Sequence, residues 1–211
     1  YNMEQIEKYD IKTGDLLLFE SENYKGFGGW FTFLIQYFTN SVFSHIGMVV
    51  KDPTYINVNM KGYYLWHSDW TNYPDPQDGE KKFGIQFTPL NIIIDKTKET
   101  NGKIFLRKIH TDKNVFTVEN MKEIHENVYK KPYDINLIDW IEALMRKDSH
   151  PQKTNRFWCS AFVGYIYTFC KILQQDTDWS ILRPCDFSKE YNNFLHFNKG
   201  NYLDNSQIEI V

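Results

Sequence analysis

Two residues set the chemistry that this chain can do. Cys159 stands where a polar loop, residues 147–155, gives way to the apolar run Phe157-Trp158-Cys159-Ser160-Ala161-Phe162-Val163. The change in composition predicts a buried helix over 158–173 with the thiol in its first turn. Backbone N–H groups are unpaired there and the helix dipole favours negative charge. Arg156 adds a further positive charge close by. Such a setting lowers a thiol's pKa, and the thiolate is the nucleophilic form. The matching base is His45, in Phe43-Ser44-His45-Ile46-Gly47-Met48. A cysteine and a histidine far apart in sequence that meet in the fold are the pattern of a cysteine hydrolase.

A histidine that takes a proton from sulfur needs a third group to fix its tautomer. His67 ends the next apolar run and is the first choice; Asp69, of the same strand parity, is the reserve. Cys170 lies about three helical turns beyond Cys159, roughly 16 Å away, too far for a disulfide. It is read as core, and Cys185 as structural. His110, His125, His150 and His196 are weaker candidates, His125 on an exposed helix face. No zinc-site spacing, HExxH or EF-hand pattern is present, so no metal and no cofactor is expected. Gly26-Phe27-Gly28-Gly29 lacks the Lys-Ser/Thr of a phosphate loop.

The elements that must position these residues follow from pattern. The chain has 211 residues, 42% of them hydrophobic, which suits one domain over 1–211. A net charge of −3 argues against a nucleic-acid partner. Three cysteines argue against a disulfide framework and for a reducing, cytoplasmic or viral setting, with a removed leader left open. No run is long enough for a membrane span; peripheral membrane contact and oligomeric state are left open. Strands are expected over 16–19, 43–50, 62–68, 83–87 and 104–109, and helices over 30–38, 117–129, 135–145, 158–173 and 184–194. Residues 91–95 suit a strand or one helical turn, and 70–82 a loop. The fold class is α+β, with a mostly antiparallel sheet.

Taken in order, Gly14-Asp15-Leu16-Leu17-Leu18-Phe19, Ser44-His45-Ile46-Gly47-Met48-Val49-Val50, a strand ending in a polar residue, Lys131-Pro132-Tyr133-Asp134 and Trp158-Cys159-Ser160-Ala161-Phe162-Val163 resemble the circularly permuted papain-like hydrolases of the NlpC-type superfamily. The similarity is closest to the bacterial and poxviral permuted branch, with the lecithin:retinol acyltransferase-like enzymes more distant. The resemblance implies an antiparallel sheet packed against helices, with the nucleophile at a helix N-terminus. It implies Cys159 as nucleophile, His45 as base, His67 as the orienting residue, and Tyr133 beside the oxyanion. The nearer branch often has Glu at the third position, so His67 is a departure that leaves the substrate class open.

The expected activity is cleavage of an amide or peptide bond. A lipid thioesterase, phospholipase or acyltransferase with the same residues is the alternative, favoured by the apolar segment 30–38. An inactive binding module on the same fold is a third. Asp75, Asp78 and Glu80 in the loop favour a cationic or amino-terminal substrate group, and so a peptide.

Overall fold

The computed structural model describes residues 6–20, 41–69, 71–132 and 157–211. Its centre is a six-stranded antiparallel sheet in the order β4-β3-β2-β1-β5-β8. The strands are β1 (Leu16–Glu20), β2 (Phe43–Lys51), β3 (Tyr63–Asp69), β4 (Gly84–Pro89), β5 (Lys103–Arg107) and β8 (Ile208–Glu209). Short strands β6 (Ile109–His110) and β7 (Tyr202–Leu203) pair separately. Among the described residues there are three α-helices: α1 (Leu90–Glu99), α2 (Val118–Val128) and α3 (Cys159–Phe169). The expected helices over 30–38 and 135–145 lie outside the described residues, as do Tyr133, Arg156, His150 and Gly26-Phe27-Gly28-Gly29.

Strand alternation sorts the sheet into two faces. Leu16, Leu18, Ile46, Met48, Val50, Trp66, Ile85 and Phe87 join the core with Met121, Ile124 and Val128 of α2 and Phe162, Val163 and Ile166 of α3. Leu17, Val49 and Leu65 point the other way, onto Leu90, Ile93 and Ile94 of α1. His67 shares Leu65's parity and lies on the α1 face. Trp66 links the layers on the other side, stacked on Phe87 and edge-on to Phe162.

Three expectations are corrected. Residues 91–95 belong to α1, a helix of 10 residues, because Leu90, Ile93 and Ile94 recur at helical spacing towards the sheet. The expected helix over 184–194 is a pair of 3₁₀ turns, Pro184–Phe187 and Asn192–Phe194. Buried Asp186 accepts the Arg183 N–H at 2.8 Å, and Pro184 supplies no donor, which closes one turn without propagating it. Helix α3 stops at Phe169, since Lys171 takes a left-handed φ of 57°.

Candidate active site

The site forms where β2 begins, β3 ends and α3 begins. Cys159 is the first residue of α3 and is 2% exposed. No side chain caps that helix end and no acid stands in its first turn, so its positive pole is not neutralised locally. The backbone around the thiol is pinned from both sides. Ser68 Oγ on β3 donates to the Phe157 carbonyl at 2.6 Å. The Leu182 carbonyl accepts from Trp158 Nε1 at 3.2 Å and from Ser160 Oγ at 2.7 Å, holding both neighbours of Cys159. Gly164 lets this segment approach the helix: a Cβ there would lie 2.6 Å from Leu182 Cδ1.

His45 comes to the thiol from a break in the β2 ladder. Phe19 of β1 faces His45, yet the next residue, Glu20, faces Phe43, so Ser44 is inserted as a bulge. A bulge re-aims its neighbours, and this one sets His45 at the sheet's end. The Cys159 side chain is close enough to this imidazole to favour its charged form. On its other side, Nε2 lies 3.0 Å from His67 Nδ1. His67 is fully buried, and its Nε2 lies 3.0 Å from Thr88 Oγ1 on β4. Asp69 Oδ2 lies 3.8 Å from both His45 Nε2 and His67 Nδ1. The structure therefore brings together Cys159, His45, His67 and Asp69.

The two imidazoles are driven apart electrostatically. Burial works against a charge on His45, but the Asp69 carboxylate and the Cys159 sulfur outweigh it and raise its pKa to about 9. Burial pushes His67 down to about 3; Asp69 pulls the other way, while the charges of His45 and Lys96 add to the lowering. At neutral pH His45 is an imidazolium and His67 is neutral. A neutral His67 beside a protonated His45 must accept at Nδ1, and its own proton then sits on Nε2 and goes to Thr88 Oγ1. Thr88 was not singled out from sequence; a threonine in a strand carries no local signal. Gly47 is a second residue missed. A Cβ there would lie 2.9 Å from His67 Cβ and 2.7 Å from Leu65 Cγ, so only glycine leaves His67 its place.

The other cysteines are buried in the core. Burial pushes the Cys170 thiol up to about 12, far from reactive. The expected exposed face for His125 is corrected. Its Nε2 lies 2.6 Å from Gln77 Oε1, and its ring lies 6.4 Å from those of Trp66 and Phe87. His110 Nε2 lies 3.0 Å from Asp204 Oδ2, a surface pair remote in sequence from the site.

The carboxylates of the acidic loop have partners within the chain. Asp75 is fully buried and paired with Lys82 Nζ at 2.9 Å. Asp78 meets the same ammonium at 2.5 Å and accepts from Tyr129 Oη at 2.9 Å. Glu80 pairs with Lys130 at 3.4 Å. These carboxylates fasten the loop to itself and to the residues that follow α2.

No protein-family profile matches the chain, and no curated protein matches it. No helix among the described residues is long and apolar enough to cross a membrane.

Proposed function

We propose that this chain is a cysteine hydrolase that cleaves an amide or peptide bond through Cys159, His45 and His67. The observation that carries the reading is the pair of contacts from His45 Nε2 to His67 Nδ1 and from His67 Nε2 to Thr88 Oγ1, with the Cys159 side chain close enough to favour the charged form of His45. With Nε2 engaged on the His67 side, Nδ1 is the nitrogen that serves the sulfur. The thiolate attacks the carbonyl carbon, and the backbone N–H of Cys159 at the helix end stabilises the oxyanion. His45 then donates its Nδ1 proton to the leaving nitrogen, giving an acyl-enzyme. In the second half its Nδ1 takes a proton from water, whose oxygen attacks the acyl carbon; the C–S bond breaks, releasing the acid and restoring the thiolate beside a protonated His45.

An amide is favoured over an ester for a chemical reason. Expelling an amine requires protonation of the nitrogen, and His45 is held protonated to about pH 9 by Asp69 and Cys159 in spite of its burial. Acyl-ester or thioester turnover is the second reading. It gains from the loop, where Asp75 and Asp78 are both engaged by Lys82. The resemblance to the permuted papain-like hydrolases supports a carbonyl substrate in both readings.

The test pairs labelling with turnover. Iodoacetamide and acyl-type probes, read by mass spectrometry, should modify Cys159 far faster than Cys170 or Cys185. A peptide library and a series of acyl esters then distinguish the bond. Equal labelling of the three native thiols would sink the hydrolase reading; turnover of esters alone would leave the thiol mechanism and remove the amide.

A further inference from the structure

The group that orients His45 also has the geometry of a metal site. His45 Nε2, His67 Nδ1 and Asp69 Oδ2 form a triangle with sides of 3.0, 3.8 and 3.8 Å. The centre of that triangle is about 2.1 Å from each atom, and an ion raised out of its plane as a tetrahedral site requires lies about 2.2 Å from each, close to the bond lengths of Zn2+ to imidazole nitrogen and carboxylate oxygen. Two nitrogens and one oxygen are a borderline donor set suited to zinc. The surroundings match as well. A zinc-bound histidine commonly donates its second N–H to a fixed acceptor. Here Thr88 Oγ1 stands 3.0 Å from the far nitrogen of His67. The Asp69 side chain is 41% exposed, so a fourth position opens to water.

We infer that His45, His67 and Asp69 bind a Zn2+ ion that switches the enzyme off without touching its thiol. The ion takes the lone pair of His45 Nε2, and any proton there leaves to solvent. His45 keeps its Nδ1 proton facing the sulfur, so the thiolate retains its hydrogen bond. It can no longer give that proton to a leaving nitrogen, because doing so would leave a metal-bound imidazolate. Hydrolysis stops while Cys159 stays reactive. The site itself follows from the ligand triangle alone; its inhibitory effect rests on the proposed hydrolase mechanism.

The purified, metal-stripped protein should bind one Zn2+ in calorimetry. Co2+ used as a probe should give visible absorption bands of a four-coordinate site without the near-ultraviolet band of a cobalt–thiolate bond. Asp69→Asn should weaken Zn2+ binding by about tenfold or more, and His67→Ala further, whereas Cys159→Ala should leave it unchanged. Because His67→Ala removes a fully buried side chain, Asp69→Asn, at a part-exposed position, is the decisive variant. Zn2+ should abolish turnover while Cys159 alkylation by iodoacetamide continues at a similar rate.

Loss of Zn2+ binding in Cys159→Ala, a cobalt–thiolate band, or protection of Cys159 from alkylation by Zn2+ would each overturn the proposal by making sulfur the ligand. Absence of one-to-one binding, with Cys159 still selectively alkylated, would remove the metal site and leave the hydrolase reading intact. Zinc binding that follows the expected variants, in a protein whose three thiols label equally, would uphold the site and remove the catalytic reading.

Discussion

His45 Nε2 and His67 Nδ1 lie 3.0 Å apart, and only one of the two rings carries charge at neutral pH. That asymmetry fixes the direction of every proton between Cys159 and Thr88. His45 donates to His67, and His67 donates to Thr88 Oγ1 at 3.0 Å. In the proposed mechanism a second histidine does the orienting work usually given to a carboxylate, with Asp69 supplying the charge from 3.8 Å.

Thr88 is therefore a positioning residue with a measurable role. Thr88→Val keeps the shape and removes the acceptor, so His67 loses its preference for the Nε2–H tautomer. Turnover should fall about fivefold to tenfold, the equivalent of one hydrogen bond of about 1 kcal/mol, with KM little changed. Thr88→Ser, which restores the hydroxyl, should recover most of the loss. Equal kcat for the valine variant and the parent would remove Thr88 from the relay.

Asp69 sets the alkaline limit. His45 must be protonated to release an amine, so activity should decline as pH rises through about 9, the pKa that Asp69 and Cys159 give it against the effect of burial. Asp69→Asn removes the largest raising influence. The alkaline limb of kcat should then move to lower pH, and the imidazole NMR titration of His45 should move with it. An unchanged limb would show that some other group governs it.

The same two histidines leave opposite marks on stability. His45 binds its proton more tightly folded than unfolded, so its contribution is complete below its unfolded pKa near 6.5 and is lost as pH rises from there to about 9. His67 has a folded pKa of about 3, so between 6.5 and 3 the unfolded chain binds a proton that the folded one refuses. Stability from His67 falls as pH falls through that window, by up to about 1.4 kcal/mol per pH unit. Urea midpoints should show the pair's combined contribution greatest near pH 6.5. In His45→Gln the decline between 6.5 and 9 should flatten; persistence of the full slope would contradict the assignment.

Much of this arrangement was legible because the strands are amphipathic in a simple way. Alternation in Phe43–Lys51 and Tyr63–Asp69 placed His45 and His67 on adjacent strands, and Thr117, which accepts the Asn120 N–H at 3.2 Å, marked the start of α2. The illegible parts depend on partners distant in the chain. The Ser44 bulge exists only against Phe19 and Glu20. Thr88 matters only because it faces Leu65, which sets it diagonally across from His67. The acidic loop looked like a binding surface until Lys82 was seen between Asp75 and Asp78. The metal triangle had no sequence signature, since its ligands are spaced as a hairpin pair and not as a helical or zinc-finger motif.

Gly47 tests whether the space given to His67 matters. Gly47→Ala would place a Cβ 2.9 Å from His67 Cβ and 2.7 Å from Leu65 Cγ. Neither neighbour can yield easily, as both are fully buried. The substitution should destabilise the fold by about 1–3 kcal/mol through overpacking. It should also reduce kcat beyond what the lost folded fraction explains, because His67 is displaced from His45 Nε2. Retention of full kcat in the folded fraction would show that His67 tolerates movement.

Ser68 tests the placement of the thiol itself. Its hydroxyl and the Phe157 carbonyl, 2.6 Å apart, join the end of β3 to the segment that leads into α3. Ser68 is fully buried, so Ser68→Ala leaves the Phe157 carbonyl without this donor, at a cost of about 1–3 kcal/mol. The opposite side of the clamp, Leu182 with Trp158 and Ser160, is untouched. Helix α3 should therefore stay folded while its first turn shifts relative to His45. Three readings should change together: the urea midpoint should fall, Cys159 alkylation should slow, and kcat should drop with little change in KM. Ser68→Thr, which keeps the hydroxyl, should restore the alkylation rate more fully than the stability, since its extra methyl must fit a closed core. Slower alkylation in Ser68→Ala without recovery in Ser68→Thr would assign the effect to packing and not to the hydrogen bond that holds Cys159 against His45.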